Sequence, residues 1–132
     1  MGNVLVDTSA WIEFFRKKEP YHSFILALID EDRVCCVGTV LGELLQGARS
    51  RKELDVLKDF PHVFEFVSDS PALWEKAGAL SFAMHGKGRP VGLSDCFIAV
   101  AAISCDVRIL SLDKHFGILK EEVPVNVIRL KP

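Results

Sequence analysis

The feature that most constrains the fold is the alternation of short apolar runs with longer segments whose apolar residues recur at helical spacing. The first run, Val4–Val6, leads into Asp7, which can begin a helix. Further strands are predicted at residues 34–37, 63–67, 107–110 and 125–128. Helices are predicted after Asp7, at 24–29, 39–48, 51–60 and 71–85, and up to Ile103, this last one capped by Ser94 or Asp95. The alternation predicts an α/β fold, a three-layer α/β/α sandwich with a mainly parallel central sheet.

The size of the chain favours one domain. With 132 residues, 49% of them hydrophobic, residues 1–132 are expected to close around one core. The longest apolar stretch, residues 34–48, contains Glu43 and is shorter than the roughly 20 residues that cross a bilayer. The first residues carry neither a signal peptide nor a lipidation motif, so a cytoplasmic protein is expected.

Composition argues against two kinds of site. The cysteines have no zinc-site spacing, so reduced thiols in the core are expected; they are Cys35, Cys36, Cys96 and Cys105. A net charge of −2 argues against a simple phosphate-binding surface. If four of the 18 acidic residues belong to a metal site, 14 remain against 16 basic ones, a balance compatible with a nucleic-acid partner.

Three acidic residues are predicted to meet at one edge of the sheet. Asp7 and Asp113 each follow a predicted strand, and Asp95 lies at the start of a helix. Ligands of open parallel sheets bind beyond the carboxyl ends of the strands, where these loops converge. Taken alone, Asp7 or Asp95 could simply cap a helix. Their coincidence at one edge favours a functional site.

Glu43 differs from the three aspartates because it lies inside a helix, the predicted helix 39–48. Thr39, Glu43, Gln46 and Ser50 follow one another at helical spacing and form one polar stripe. A solvent-exposed face would show the same pattern. The functional interpretation requires this stripe to face the strand ends.

A group of carboxylates requires a countercharge. Two carboxylates about 5 Å apart repel by roughly 3 kcal/mol at an effective dielectric constant of about 20. Mg²⁺ or Mn²⁺, which take oxygen ligands and bridge carboxylates to phosphate oxygens, are the natural counterions. Such ions activate water for in-line attack and stabilise the leaving oxygen. Asp7, Glu43, Asp95 and Asp113 are therefore the candidate metal-binding and catalytic residues.

The sequence resembles the PIN-domain family, and specifically the VapC-type toxins of toxin–antitoxin pairs, along essentially its whole length. The matching residues are Val4 to Ser9 with Trp11, Glu43-Leu44 with Gly47, Asp95 with Ile98-Ala99 and Ala102, and Ser111-x-Asp113 with Phe116. The resemblance implies metal-binding acids at Asp7, Glu43, Asp95 and Asp113, with hydroxyl residues nearby at Thr8 or Ser9 and Ser111. It also implies a Mg²⁺- or Mn²⁺-dependent endoribonuclease, frequent homodimers and a cognate antitoxin. Two mild departures, Ser111 for a common threonine and Gln46 for a basic or aromatic residue, concern only RNA contacts.

Other residues have weaker claims to a role. Several basic residues could contact RNA phosphates, and Lys87 and Arg89 are the first choice because their loop precedes the helix with Asp95. His115 could act as a general acid, but we interpret it as a surface histidine. The aromatic residues are expected in the core or a dimer interface.

Two rival functions stay open. A Mg²⁺-dependent phosphatase of haloacid dehalogenase type would also have an acid after its first strand, but it requires a second Asp where Ser9 stands. A non-catalytic module that binds RNA or a protein partner would use the acids only as caps and surface residues. In that case, removing the acids would hardly change nucleic-acid binding.

Overall fold

The computed structural model describes residues 2–131 and contains a five-stranded sheet in which all neighbouring strands are parallel. The strands are β1 (Val4–Val6), β2 (Val34–Cys36), β3 (Glu65–Phe66), β4 (Arg108–Leu110) and β5 (Val127–Ile128). Their order across the sheet is β3-β2-β1-β4-β5. The predicted α/β class and parallel central sheet are confirmed.

Eight helices connect the strands within the described residues. They are α1 (Thr8–Phe15), α2 (Tyr21–Asp30), α3 (Gly38–Gln46), α4 (Arg51–Lys58), α5 (Phe60–Val63), α6 (Pro71–Gly86), α7 (Leu93–Cys105) and α8 (His115–Leu119). The side chains of Ser50 and Ser70 accept hydrogen bonds from the amides of Glu53 and Leu73, and so cap α4 and α6. None of the helices in this part of the chain is long and apolar enough to cross a membrane.

The direction of the crossovers divides the helices between two layers. The chain moves from β1 to β2 to β3 in one direction across the sheet, then returns past β1 to β4 and β5. Because parallel crossovers are right-handed, α1 to α5 cover one face and α6 to α8 the other. Consistently, α1 packs on α2 and α3, whereas α7 packs on α6 and α8. This is the predicted three-layer sandwich.

The central strand of the sheet is β1, and its position determines which edge of the sheet carries the candidate site. Val4, Leu5 and Val6 are fully buried, as expected for a strand covered by helices on both faces. The strand order reverses at β1, so the loops after β1 and β4 lead to opposite layers from adjacent positions. A crevice between such loops is the usual binding site of open parallel sheets.

Most of the core is where the apolar pattern predicts it. Trp11 is buried on α1 and packs against Phe60 and Phe64 with ring centroids 4.9 and 5.7 Å away. The predicted buried thiols are confirmed for Cys35, Cys36 and Cys96. The prediction is wrong for Cys105, which is exposed because it lies at the last residue of α7.

Two local predictions are also wrong. Residues 60–63 form α5 rather than the end of one helix and the beginning of a strand, because Pro61 begins a new helical turn. The helix that carries Asp95 begins at Leu93 and has Gly92 in the N-cap position, so neither Ser94 nor Asp95 caps it. The Asp95 carboxylate is therefore available for other contacts.

Candidate metal centre

Asp7 is the buried acid at the carboxyl end of β1. Only 5% of its surface is exposed, in a chain whose other carboxylates are more accessible. It occupies the N-cap position of α1, but its side chain makes no capping hydrogen bond there. Its backbone carbonyl instead accepts the amides of Ala10 and Trp11 and so begins the helix. The Asp7 carboxylate is thus free to make contacts other than capping the helix.

Two serine hydroxyls connect Asp7 to the loop after β4. Ser111 donates to Asp7 Oδ2 at 2.7 Å, and Ser9 donates to the same oxygen at 3.1 Å. The Ser111 hydroxyl accepts the amide of Asp113 at 2.9 Å, and the Ser9 hydroxyl accepts the amide of Leu112 at 3.0 Å. These bonds hold the two loops together and orient the Asp7 carboxylate.

Asp95, Asp113 and His115 form the second part of the site. The His115 Nδ1 atom lies 2.9 Å from Asp95 Oδ2 and 3.3 Å from Asp113 Oδ1. One ligand atom from each of the three residues lies within 4.8 Å of the others. His115 is a partly exposed histidine in a short helix, as we interpret it from the sequence, but its ring also contacts two of the predicted acids.

Burial disfavours the ionised forms of two of these carboxylates, Asp7 and Asp95. Burial raises the pKa of Asp7, hydrogen bonds from Ser111 and Ser9 lower it, and the charge of Asp113 raises it further. Burial also raises the pKa of Asp95, against the hydrogen bond from His115, and the charges of Asp113 and Asp7 add to the increase. Within residues 2–131, no lysine or arginine forms an ion pair with these three acids. A divalent cation is the countercharge that this set of oxygen ligands fits.

Glu43 lies beside the three aspartates rather than among them. Its Oε1 atom accepts the hydroxyl of Thr8 at 3.0 Å, and Thr8 directly follows Asp7. The residue is exposed on α3, and within residues 2–131 the hydrogen bond from Thr8 is the only one that its side chain makes. The hydrogen bond from Thr8 therefore connects Glu43, a member of the predicted polar stripe of α3, to the edge of the sheet.

Arg129 is a residue of the site region that the sequence analysis missed. Its guanidinium donates to the backbone carbonyls of Ser111 at 3.0 Å and Asp113 at 3.4 Å. It thereby supports the loop after β4 from the segment that follows β5. No local pattern could reveal this role, because Arg129 approaches the loop only once β5 has paired with β4.

Lys87 and Arg89 have partners within the chain. Lys87 forms an ion pair with Glu122, and Arg89 forms ion pairs with Glu121 at 2.7 Å and Glu122 at 3.7 Å. Exposed ion pairs contribute only about 0–1 kcal/mol, so these cations can exchange partners. Their contact with RNA stays a prediction, and the structure places acids beside both.

A groove of about 230 Å³ extends from Thr8 and Glu43 between α1, α3 and α4. Both apolar and charged residues line it, including Ile12, Phe15, Leu44, Leu57, Arg16, Arg49 and Glu53. Arg16 and Arg49 form no ion pair with any residue from 2 to 131. The groove therefore offers two cations next to the acidic site.

Comparison with known proteins agrees with this architecture. A family model of the PIN domain matches residues 4–121, and the chain belongs to the PIN domain family. It is similar to Ribonuclease VapC11 of Mycobacterium tuberculosis, with 26% identity over 121 residues that cover 88% of this chain and 90% of the relative. VapC ribonuclease Mb1587 of Mycobacterium bovis matches with the same identity and coverage.

Solved structures of toxin–antitoxin complexes share the fold. VapBC2 from Rickettsia felis, bound to a DNA fragment from its promoter, matches with a TM-score of 0.75 at 17% identity, over 97% of this chain and 98% of that one. DNA-bound VapBC from Salmonella typhimurium matches with a TM-score of 0.74 at 22% identity and the same coverage. At these identities the likeness concerns the fold.

Proposed function

We propose that this chain is a VapC-type endoribonuclease toxin, dependent on Mg²⁺ or Mn²⁺, that a cognate antitoxin neutralises. One observation carries the proposal: Asp7, Asp95 and Asp113 lie close together where the strand order reverses. Among the described residues, no lysine or arginine forms an ion pair with them. Membership in the PIN domain family and the similarity to VapC ribonucleases support it.

The proposed roles follow from the contacts of each residue. Asp7, Asp95 and Asp113 would hold the ion, while Ser9 and Ser111 keep Asp7 Oδ2 oriented. Bound at this site, the ion would supply Lewis acidity and activation of water for hydrolysis of a phosphodiester. Glu43, fixed by Thr8 where the groove meets the aspartates, would complete the set of acids.

Cleavage of a pool of structured RNAs tests this proposal. We expect the wild-type protein to cleave with Mn²⁺ or Mg²⁺ and not with EDTA, and we expect Asp95→Asn to lose at least about 100-fold in rate, about 2.7 kcal/mol. Asp30→Asn is the matched control, since this exposed residue ends α2 before β2, at the opposite edge of the sheet. Equal cleavage by both variants, or cleavage in EDTA, would contradict the proposal.

The groove arginines are the better candidates for RNA contacts. Because Arg16 and Arg49 lack acidic partners within residues 2–131, we expect the double variant Arg16→Gln, Arg49→Gln to bind a non-cleavable RNA about 10-fold more weakly. Its salt dependence should also be shallower, by roughly one unit of slope per lost phosphate contact. Fluorescence anisotropy at several salt concentrations measures both quantities.

The control for this experiment is the double variant Lys87→Gln, Arg89→Gln. These cations already face Glu121 and Glu122, so we expect a change in RNA affinity of less than about threefold. If the control lost more RNA affinity than the groove variant, Lys87 and Arg89 rather than Arg16 and Arg49 would be the RNA-contacting residues.

The antitoxin is proposed to bind over the same groove. The matching solved structures are of VapBC complexes, which makes a protein partner part of this proposal. Ile12 on the groove wall is 39% exposed, and the groove is lined by both apolar and charged side chains. A partner segment lying in the groove would cover both arginines and the side of the site that Glu43 occupies. Binding there would exclude RNA and so neutralise the toxin.

A homodimer is the remaining partner prediction, and α6 offers a surface for it. Phe82 is 82% exposed on this helix, next to the exposed small residues Ala79, Ala83 and Gly86. We expect the wild-type chain to be dimeric in light scattering at micromolar concentration and Phe82→Asp to be monomeric with an unchanged circular dichroism spectrum. A monomeric wild type, or a dimeric variant, would contradict this assignment.

The rival functions are less well supported. A phosphatase of haloacid dehalogenase type needs an acid at position 9, where the Ser9 hydroxyl instead bonds to Asp7 and Leu112. A non-catalytic module gives no reason to bury Asp7 against two serines beside further acids. We also propose that residues 1–132 form one domain acting in the cytoplasm; Met1 and Pro132 lie outside the described residues.

A further inference from the structure

We propose that His115 supplies a nitrogen ligand to the metal site, so that the site prefers Mn²⁺ over Mg²⁺. This inference rests on the proposed function, because it concerns the ligands of the same ion. It starts from the position of His115 Nδ1, 2.9 Å from Asp95 Oδ2 and 3.3 Å from Asp113 Oδ1. An all-carboxylate site would not require an imidazole between two of its acids.

The distances match those between neighbouring ligands of one ion. Ligand atoms that lie about 2.1 Å from an ion, at right angles to each other, are about 3.0 Å apart. The two distances from His115 Nδ1, 2.9 and 3.3 Å, lie on either side of this value. In the structure the Nδ1 atom is hydrogen-bonded to Asp95, with Asp113 Oδ1 as a longer second contact, whereas an ion would contact both carboxylates and the nitrogen together.

The backbone holds His115 in this position. Its amide donates to Asp113 Oδ1 at 2.9 Å, which fixes the turn between the two residues. The next residue, Phe116, is fully buried and anchors the first turn of α8 in the core. The His115 side chain is 37% exposed, so water and ions can reach the ring. The imidazole is therefore already in position before an ion binds, and it remains accessible to solvent.

A nitrogen ligand changes which ion binds best. Carboxylates suit both Mg²⁺ and Mn²⁺, whereas an imidazole nitrogen is a better ligand for first-row transition ions, of which Mn²⁺ is the weakest binder, than for the harder Mg²⁺. We therefore expect His115→Gln to weaken Mn²⁺ binding about 10-fold while changing Mg²⁺ binding less than threefold. His62→Gln is the matched control, because His62 is exposed on α5, in the layer on the other face of the sheet.

Pulsed electron paramagnetic resonance of bound Mn²⁺ tests the inference without relying on activity. We expect the wild-type protein to show electron spin echo modulation from a directly bound ¹⁴N nucleus. The modulation should be absent in His115→Gln, retained in His62→Gln, and changed to that of ¹⁵N when the wild-type protein is made with ¹⁵N-histidine. The labelled wild-type protein gives this answer even if the variant does not fold.

The outcomes separate this inference from the proposed function. Mn²⁺ that binds one to one without nitrogen modulation overturns the role of His115 and leaves the carboxylate site intact. Modulation that persists in folded His115→Gln also overturns it. Absence of any Mn²⁺ binding by the wild-type protein overturns both.

Discussion

Asp7→Asn is expected to abolish RNA cleavage without destabilising the fold. The carboxylate of Asp7 is buried, and its pKa is raised because burial and the charge of Asp113 disfavour its ionised form. Asparagine removes this buried charge, and its side-chain oxygen can still accept the hydroxyls of Ser9 and Ser111. The unfolding temperature at pH 7 should therefore be equal to or higher than that of the wild-type protein in the absence of metal.

The loss of function in this variant has a separate cause. An amide cannot replace a charged oxygen ligand of a hard cation, so we expect at least a 100-fold loss of cleavage rate, about 2.7 kcal/mol. Single-turnover cleavage and calorimetric unfolding, measured on the same preparation, check the two halves of the prediction. A variant that cleaves RNA normally contradicts the catalytic role, and one that is strongly destabilised contradicts the account of Asp7 as an uncompensated buried charge.

Without metal, the wild-type protein should lose stability relative to Asp7→Asn as pH rises. Folding raises the pKa values of Asp7 and Asp95 above the ordinary value of 3.8, so the folded state binds protons more tightly than the unfolded state. The contribution of these two groups to the free energy of unfolding is most favourable below pH 3.8 and falls as pH rises through the raised pKa values. The pKa values of Glu19 and Glu122 are lowered by hydrogen bonds from Ser23 and Lys87, which gives the opposite slope. Glu19, Glu122 and Asp95 are present in both proteins, so the comparison removes most of their effects and leaves the effect of Asp7.

Metal should reverse this loss at neutral pH. An ion that binds only the folded state stabilises it by about 2.7 kcal/mol at 100 times its dissociation constant. For a chain of this size, that corresponds to a rise of unfolding temperature on the order of 10 °C. Thermal unfolding between pH 4 and 7, with EDTA or with Mn²⁺, measures both effects. Identical pH profiles for the two proteins, or no response of the wild-type protein to Mn²⁺, would contradict the account.

The sequence predicts the three aspartates of the site because short local patterns show where the strands and helices end. Asp7 and Asp113 follow buried strands, and parallel strands bring their carboxyl ends to one edge, so the approach of these two acids follows from the strand order. Asp95 was predicted to reach the same edge from the start of its helix. The prediction was possible because each of these acids lies within three residues of the end of a strand or the start of a helix.

Contacts between distant segments could not be predicted in the same way. His115 reaches Asp95 across 20 residues, and Lys87 and Arg89 meet Glu122 and Glu121 more than 30 residues further along. Such contacts depend on how α8 and the loop after α6 are placed in three dimensions. The periodicity of α3 likewise allows Glu43 on a solvent-exposed face or at the site, and only the bond from Thr8 ties it to the edge.

The most direct test of the central claim is an anomalous difference map from a crystal soaked in Mn²⁺. The claim is that carboxylates from three separate segments share one divalent ion. The account predicts a single strong peak within about 2.0–2.6 Å of carboxylate oxygens of Asp7, Asp95 and Asp113. A map without a peak there, or with Mn²⁺ bound only at other carboxylates, would contradict it.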